Sequence, residues 1–348
     1  MPIKTIFKAY DEGYRAIRLT GRSLYDLVVD EGKLRPLNEA FRRACCVQYG
    51  MQLITFSLAS GLDWDASRIQ NDNDRRTIEK ILRDHRLMDI PQDEHEVVRV
   101  IRGISSLSKI PMDSLKWSDG RVMRFALVVE FAEHMLPGSL TNGTQTDSQL
   151  RAIELAHLAA QSLALRSSGN LVIFHGREGL IDELVCGALH EIRLSQPDNL
   201  EKKEFLSAAT SLYSNAGFED GLSIDAVSNL TTNTPNKGLE QLVRASHLSG
   251  RKLTGKELSE QKNRDVEAMS ESTLTALNAA RLDNLQLKGL NIEIPLKILD
   301  TYANALMKAD SSIPANILLV GPPGTGKTDL ALVRAFKAKV SAFQLHSP

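Results

Sequence analysis

The stretch Gly321–Thr328 reads Gly-Pro-Pro-Gly-Thr-Gly-Lys-Thr. It matches the phosphate-binding pattern G-x-x-x-x-G-K-[ST] at every fixed position. Glycines let the backbone turn tightly and point its N–H groups at phosphate oxygens. Lys327 is expected to reach the β- and γ-phosphates of a nucleotide, and the Thr328 hydroxyl is expected to bind Mg²⁺. The stretch therefore predicts a site for ATP and Mg²⁺.

The elements around this motif agree with that chemistry. Asn316–Val320 is a short apolar run that predicts a buried strand, and Asp329–Val340 has the apolar spacing of a helix. A helix that begins at the glycines adds partial positive charge where phosphate would bind. Ser341–Leu345 is a candidate for the next strand. A glycine-rich turn without a ligand is the alternative, and the complete motif in a strand–loop–helix setting favours phosphate. The predicted cofactor-binding residues are Gly321, Pro322, Pro323, Gly324, Thr325, Gly326, Lys327, Thr328 and Asp329, and the predicted metal ligand is Thr328.

Composition and charge restrict the class of protein. The chain has 348 residues, 42% of them hydrophobic and 24% charged, with a net charge of −1. This is typical of a soluble protein with more than one domain, and it gives no indication of nucleic-acid binding. No signal pattern or membrane-length apolar run is evident, so a cytoplasmic location without membrane contact is predicted. The three cysteines, Cys45, Cys46 and Cys186, lack metal-ligand spacing and are predicted to be free, mostly buried thiols.

Apolar runs alternate with helical patterns over the first part of the chain. Phe125–Phe131 and Asn170–Phe174 are predicted buried strands, and Ser148–Leu165 is a predicted helix with Asp147 as its N-cap. This alternation predicts an α/β fold whose parallel sheet is covered on both faces. After Gln196 the pattern changes to successive helices. The remaining predicted elements are strands within Tyr14–Leu19, Leu24–Val29 and Met51–Ala59, and helices Leu37–Tyr49, Asp72–Arg86, His95–Leu107, Leu200–Tyr213, Ile224–Leu230, Gly238–Leu248, Thr254–Met269, Ser270–Asn284 and Leu296–Ala309.

The run ILLVGPPGTGKTDLA resembles the AAA+ family of ATPases. The resemblance implies an α/β ATPase core with a helical lid, assembly into a ring (a hexamer by family resemblance), and ATP hydrolysis that remodels a macromolecular partner. It also implies a macromolecular substrate or an adaptor protein as the binding partner. It also implies adenine contacts at Ile292 and Ile294.

A second resemblance to the same family lies upstream. FALVVEF ends at Glu130, where the family carries its metal-binding and catalytic acids, and Phe131 follows in place of the second acid. NLVIFHG is similar to the family's sensor strand, with His175 and Gly176 where Asn is usual. The first module lacks a phosphate loop, since its nearest remnant is the acidic stretch Asp30–Lys33, and no arginine pair lies near Cys186–His190. The resemblance implies a degenerate module that does not hydrolyse ATP.

These resemblances imply three segments. Residues 1–197 would form the degenerate α/β domain, 198–284 the lid-like helical domain, and 285–348 a linker with the first β-α-β of a second, incomplete ATPase domain. The family's other catalytic groups follow the phosphate loop, and no catalytic residue is assigned within this chain. The intact protein is therefore expected to be an ATP hydrolase, whereas these 348 residues alone are expected to be inactive.

Two alternatives stay open. Residues 1–284 could be a protein-binding adaptor, with the ATPase acting only as a nucleotide switch. Adjacent FALVVEF and NLVIF strands in a five-stranded parallel sheet would favour the tandem ATPase, and a helical repeat would favour the adaptor. The first domain could also carry acid/base chemistry, which would require Glu130, Glu133, His134 and His175 to converge in one cleft.

Overall fold

The computed structural model describes residues 2–66, 69, 71–88, 95–138, 145–270, 274–276, 293–307, 319–320, 322, 327–337 and 343–345. The chain divides into two compact units. The first unit comprises Met1–Leu212 and Pro235–Lys237, and the second comprises Tyr213–Thr234 and Gly238–Pro348. The helix Asn199–Leu212 thus falls in the first unit.

The first unit is built on a six-stranded sheet. Its strands are β1 (Ala16–Gly21), β4 (Met51–Ser57), β5 (Gly61–Asp63), β6 (Arg124–Glu130), β7 (Leu171–His175) and β8 (His190–Leu194), and a separate hairpin joins β2 (Leu27–Asp30) to β3 (Lys33–Pro36). Its helices are α1 (Pro2–Asp11), α2 (Leu37–Tyr49), α3 (Asp72–Asp84), α4 (Glu96–Ser108), α5 (Asp147–Gln161), α6 (Leu163–Ser168), α7 (Glu183–Cys186) and α8 (Asn199–Leu212).

The strand order is β5-β4-β6-β7-β1-β8. The pairs β4–β6, β6–β7, β7–β1 and β1–β8 are parallel, and only the edge strand β5 pairs in the antiparallel sense. One apolar core packs α3, α4 and α5 on one face, and a second core packs α1 and α2 on the other. The predicted α/β fold with a mostly parallel, doubly covered sheet is therefore confirmed.

Two helix starts show how local sequence sets the elements. α2 begins directly after Pro36, whose φ of −59° suits a helix start, and this start was predicted. The prediction of Asp147 as N-cap of α5 is wrong, because the cap is Thr146. The Thr146 hydroxyl accepts from the Gln149 N–H, and the Gln149 side chain accepts from the Thr146 N–H. This reciprocal pair satisfies two helix-end donors where a single Asp would satisfy one.

The predicted helix Ser148–Leu165 is interrupted. Ser162 has an extended backbone, with φ −64° and ψ 127°, and it separates α5 from α6. The carbonyl groups at the end of α5 therefore need other partners, and the Ser162 N–H donates to the Ala159 carbonyl there.

The cysteine prediction is confirmed in part. None of Cys45, Cys46 and Cys186 is in a disulfide, but only Cys45 is buried. Across the residues that the structure describes, no helix combines the length and apolarity that crossing a membrane requires.

The second unit contains helices followed by short extended segments. Its elements are α9 (Ile224–Thr231), most of α10 (Asn236–Ser249), α11 (Gly255–Met269), β9 (Leu274–Ala276), α12 (Glu293–Met307), α13 (Lys327–Lys337) and β10 (Phe343–Leu345). β9 lies inside the predicted helix Ser270–Asn284. Its Leu274 pairs with Leu345 of β10 in an antiparallel ladder, so pairing overrides the helical spacing at these positions.

The strand predicted before the phosphate loop is only partly described. Leu319 and Val320 are not in a strand, and Val320 is 85% exposed, while residues 316–318 lie outside the described residues. A buried strand needs hydrogen-bonded neighbours and a covered face, and the two short strands described here supply neither for Leu319 and Val320.

Candidate functional site

The phosphate-loop motif is described only at its two ends. Gly321, Pro323, Gly324, Thr325 and Gly326 lie outside the described residues. α13 begins at Lys327 instead of the predicted Asp329, so Thr328 falls in the first helical turn, and Asp329 is the acidic residue of that turn. Their roles with ATP and Mg²⁺ remain predictions. Of the predicted adenine contacts, Ile292 is outside the described residues.

Lys327 is positioned to suit an anion. Its Nζ donates to the carbonyl oxygen of Pro322 at 2.6 Å, so the ammonium folds back towards the start of the loop. A phosphate group at the start of α13 would interact favourably with the Lys327 ammonium and with the positive end of the helix dipole.

A second candidate site is the carboxyl-terminal edge of the first unit's sheet. Open α/β sheets bind ligands at this edge, beside the strand where the direction of the crossovers reverses. Here that strand is β1, because the chain leaves it towards β4 on one side while the connection from β7 to β8 passes to its other side. Gly21, Glu130 and His175 end β1, β6 and β7 at this edge.

A buried ion pair follows β1 directly. Arg22 Nε donates to Asp26 Oδ2 at 2.7 Å, and both side chains are 1% exposed. The other guanidinium nitrogens donate to Glu201 Oε2 at 2.9 Å and to the Leu27 carbonyl at 3.0 Å. All three guanidinium nitrogens are thus bound, as a buried cation requires.

The second oxygen of Asp26 binds backbone at the start of α10. Asp26 Oδ1 accepts from the N–H groups of Asn236, at 2.7 Å, and Lys237, at 3.0 Å. The same segment is held by Lys202 Nζ, which donates to the Pro235 carbonyl at 3.2 Å, and by Asn236 Nδ2, which donates to the Leu27 carbonyl at 2.8 Å. Asp26 therefore satisfies donors that the first turn of a helix leaves unpaired.

The segment after β1 does not form a phosphate loop. Gly21 has φ +88°, and a Cβ there would lie 2.3 Å from the Leu194 carbonyl oxygen. The remnant Asp30–Lys33 forms the β2–β3 hairpin turn, with Glu31 at φ 48° and Gly32 at φ 74°. Both values are positive, as in a two-residue type I′ hairpin. The Arg43 guanidinium binds the carboxylates of Asp30 and Glu31, so the Gly-Lys pair of this remnant belongs to a turn.

Glu130 is bound to a tyrosine within the first unit. Its carboxylate is 4% exposed and accepts a hydrogen bond from the Tyr25 hydroxyl. Burial raises the pKa of Glu130, and the Tyr25 hydrogen bond acts against that rise. Burial, followed by the bond to Glu130, raises the pKa of Tyr25 to about 12. Phe131, in the left-handed region at φ 53°, stacks on Tyr25 with ring centroids 6.3 Å apart.

Glu133 and His175 are buried polar side chains near this edge of the sheet. Glu133 is 5% exposed and His175 8%, and Glu133 Oε2 and His175 Nδ1 have no hydrogen-bond partner. Glu133 Oε2 lies against Gly176, where a Cβ would approach it to 2.4 Å. Burial lowers the pKa of His175, although the Arg22 backbone and the Glu133 charge act in the opposite direction.

The four acid/base candidates are brought together only in part. Glu130 and His175 are neighbours in the register of β6 and β7, and the Glu133 charge acts on His175. The Glu130 carboxylate is bound by the Tyr25 hydroxyl, and His134 is exposed. No group of three or more His, Cys, Asp or Glu side chains within the described ranges could hold a metal ion. These contacts give no support to a hydrolytic centre in the first unit.

Arg22 and Asp26 were missed as site residues in the sequence. The available signal was two opposite charges four residues apart, immediately after an apolar strand that ends in glycine. A strand end followed by charges is usually a solvated turn, and only the distant residues Glu201 and Asn236 identify this one as buried.

Comparisons with known proteins identify no family. No family model matches the chain, and no curated protein matches it. Among solved structures, a chain of the E. coli MS115-1 HORMA:CdnC:Trip13 complex is similar, with 14% sequence identity and a TM-score of 0.43 over 75% of this chain and 81% of that chain. A likeness at this level carries no argument about the function of the present chain.

Proposed function

We propose that this chain is part of an AAA+ ATPase that binds ATP and Mg²⁺ through Gly321–Thr328. In the complete protein, ATP hydrolysis would remodel a macromolecular partner, and the subunits would assemble into a ring, a hexamer by family resemblance. The complete phosphate-loop motif followed by a helix that begins at Lys327 supports the nucleotide site.

The roles within the loop follow from chemistry. The backbone N–H groups from Gly324 to Thr328 would cradle the phosphates, Lys327 would neutralise the β- and γ-phosphates, and Thr328 would bind Mg²⁺. The bound ATP–Mg²⁺ supplies the phosphoryl group that is transferred to water. An acid for the metal, a group that orients water and a cation for the transition state are also required, and none is assigned here.

The observation that carries the proposal is the pairing of β6 with β7. These are the FALVVEF and NLVIF strands, and they lie side by side within five parallel strands. Helices follow this sheet in sequence. This arrangement favours the tandem ATPase over a helical-repeat adaptor, the alternative named for residues 1–284.

We assign the first unit a non-hydrolysing role. The segment after β1 carries a buried ion pair where a phosphate loop would be needed, and the Glu130 carboxylate is engaged by Tyr25. ATP turnover would then depend only on the second ATPase domain, whose phosphate loop is Gly321–Thr328.

The test compares ATP turnover and Mg²⁺-dependent ATP binding in this chain and in one extended at its carboxyl end. Each is measured with and without Lys327→Ala, and Lys337→Ala, at the other end of α13, is the matched control. The extended protein should hydrolyse ATP, Lys327→Ala should abolish turnover, and Lys337→Ala should not. Absence of ATP binding by the extended protein would refute the proposal. Turnover by the 348-residue chain alone, abolished by Lys327→Ala, would show that these residues already hold the catalytic groups.

A further inference from the structure

We infer that Asp26 acts as a built-in anion that fills the ligand crevice of the first unit and keeps it closed to phosphate compounds. The inference rests on contacts inside the first unit, and it is independent of the phosphate loop near Lys327. If the inference holds, the crevice of the first unit is filled by Asp26 when no nucleotide is present.

The first step is the position of the carboxylate. Arg22 follows the last residue of β1, the strand beside which ligands of open α/β sheets bind. Its N–H donates to the carbonyl oxygen of Leu194, so it also lies at the carboxyl end of β8. Asp26, four residues on, is held at this same edge by the Arg22 guanidinium.

The second step is the set of donors around Asp26. Its two oxygens receive a guanidinium N–H from Arg22 and the backbone N–H groups of Asn236 and Lys237, at 2.7 to 3.0 Å. A guanidinium combined with the N–H groups of a helix start is a donor set that suits phosphate oxygens. The protein itself places a carboxylate there, so the anion is part of the chain.

The third step is the environment of this anion. Arg22 and Asp26 are almost fully excluded from water, at 1% exposure each. Two further buried polar atoms, Thr20 Oγ1 near the end of β1 and Asn236 Oδ1, have no hydrogen-bond partner. Buried polar atoms without partners are uncommon in folded proteins, so these two, on residues close to the Arg22–Asp26 pair in sequence or by hydrogen bond, call for an explanation.

The fourth step is charge. Arg22 and Lys202 each carry one positive charge, and Asp26 and Glu201 each carry one negative charge when ionised. The positive end of α10 adds to the positive side of this balance. An added phosphate would meet two carboxylates in this crevice, and removing Asp26 would leave the guanidinium and the helix start facing a single one.

The experiment removes the internal anion in the full chain. Asp26→Ala is combined with Lys327→Ala, so that the phosphate loop does not contribute, and inorganic phosphate is titrated by calorimetry. The double variant should bind phosphate about tenfold or more tightly than Lys327→Ala alone. Its melting temperature should rise with phosphate more than with chloride at equal ionic strength, whereas Lys327→Ala alone should show no such difference.

Two matched variants control for charge and volume. Asp63→Ala removes a carboxylate that is 53% exposed and paired with Arg42, and it should not create phosphate binding. Asp26→Asn keeps the side-chain volume without the charge, and it should gain less affinity for phosphate than Asp26→Ala. Formate, a small carboxylate, tests whether the space left by Asp26→Ala fits a carboxylate but not phosphate.

Each outcome decides the inference. Phosphate binding that depends on Asp26→Ala, or folding of Asp26→Ala only when phosphate is present, supports it. Rescue by formate without rescue by phosphate overturns it, since Asp26 would then be a structural partner of Arg22 in a space too small for phosphate. Failure to fold in phosphate as in chloride, equal binding by the Asp63→Ala control, or a folded double variant that binds phosphate no more tightly than Lys327→Ala alone also overturns it.

Discussion

The Asp26 carboxylate lies 2.7 Å from Nε of Arg22, and both side chains are 1% exposed. Each group alone would be a buried, uncompensated charge at the edge of the sheet. Together with the Glu201 carboxylate and the start of α10, they form a network of contacts between opposite charges and between hydrogen-bond donors and acceptors.

Breaking this pair from one side should be costly. Arg22→Met leaves Asp26 buried without its cation, and we expect a loss of about 3–5 kcal/mol in the free energy of unfolding. Arg121→Met is the control, because its pair with Asp119 has the same 2.7 Å distance but is exposed, and less than about 1 kcal/mol is expected. Urea denaturation measures both, and equal losses would contradict the buried network.

Gly21 should not tolerate a side chain. Gly21→Ala places a Cβ 2.3 Å from the Leu194 carbonyl oxygen at φ +88°. The control Gly179→Ala has a similar φ of +77° with nothing within 4 Å, so it carries the backbone strain alone. We expect about 1 kcal/mol for the control and at least about 2 kcal/mol more for Gly21→Ala. Similar losses in the free energy of unfolding for the two variants would show that β1 and β8 can move apart at Gly21 without cost.

The Tyr25–Glu130 bond should depend on pH. Tyr25→Phe removes the hydroxyl whose hydrogen bond lowers the pKa of Glu130, so that pKa should rise further above its ordinary value. A carboxyl whose folded pKa is raised loses its stabilising contribution as pH rises through that pKa. The variant should therefore be destabilised by about 1–3 kcal/mol at neutral pH and by less in acid. Urea denaturation at both pH values, with exposed Tyr14→Phe alongside, measures this, and a loss independent of pH would contradict it.

His175 should make the first unit sensitive to acid. Burial lowers its pKa below the ordinary value near 6.5, so the unfolded chain binds more protons than the folded chain in the window between the two values. The stability contributed by neutral His175 is therefore lost as pH falls below about 6.5. His175→Gln should flatten the stability curve in that window, and exposed His134→Gln should not. Thermal unfolding across the window checks this, and an unchanged slope in His175→Gln would refute the assignment.

The hydrophobic pattern of the sequence predicted the sheet of the first unit but not its first helix, α1. β4, β6 and β7 are continuous apolar runs, which is how strands buried on both faces read in a sequence. Their local pattern was sufficient to predict a parallel sheet. α1 was not predicted, although its buried residues Ile6, Phe7 and Tyr10 have helical spacing. The first turn of α1 lacks an acidic residue, and such a residue would have marked its start.

The site beside β1 was not predictable in the same way. Arg22 meets Glu201, and Asp26 meets Asn236, across separations of 179 and 210 residues. No local propensity reports such contacts. Asp30–Lys33 was read only as the nearest remnant of a phosphate loop, and its actual role in the turn between β2 and β3 depends on the pairing of those two strands.

The central place of β1 has a consequence for protein synthesis. β1 precedes both of its neighbours by a long stretch of chain, since Ala16 pairs with Val172 of β7 and Ile17 pairs with His190 of β8. During translation both edges of β1 stay without these partners until β7 and β8 have been made. An unpaired apolar strand is a template for intermolecular pairing, so β1 is a site of aggregation risk in the nascent first unit.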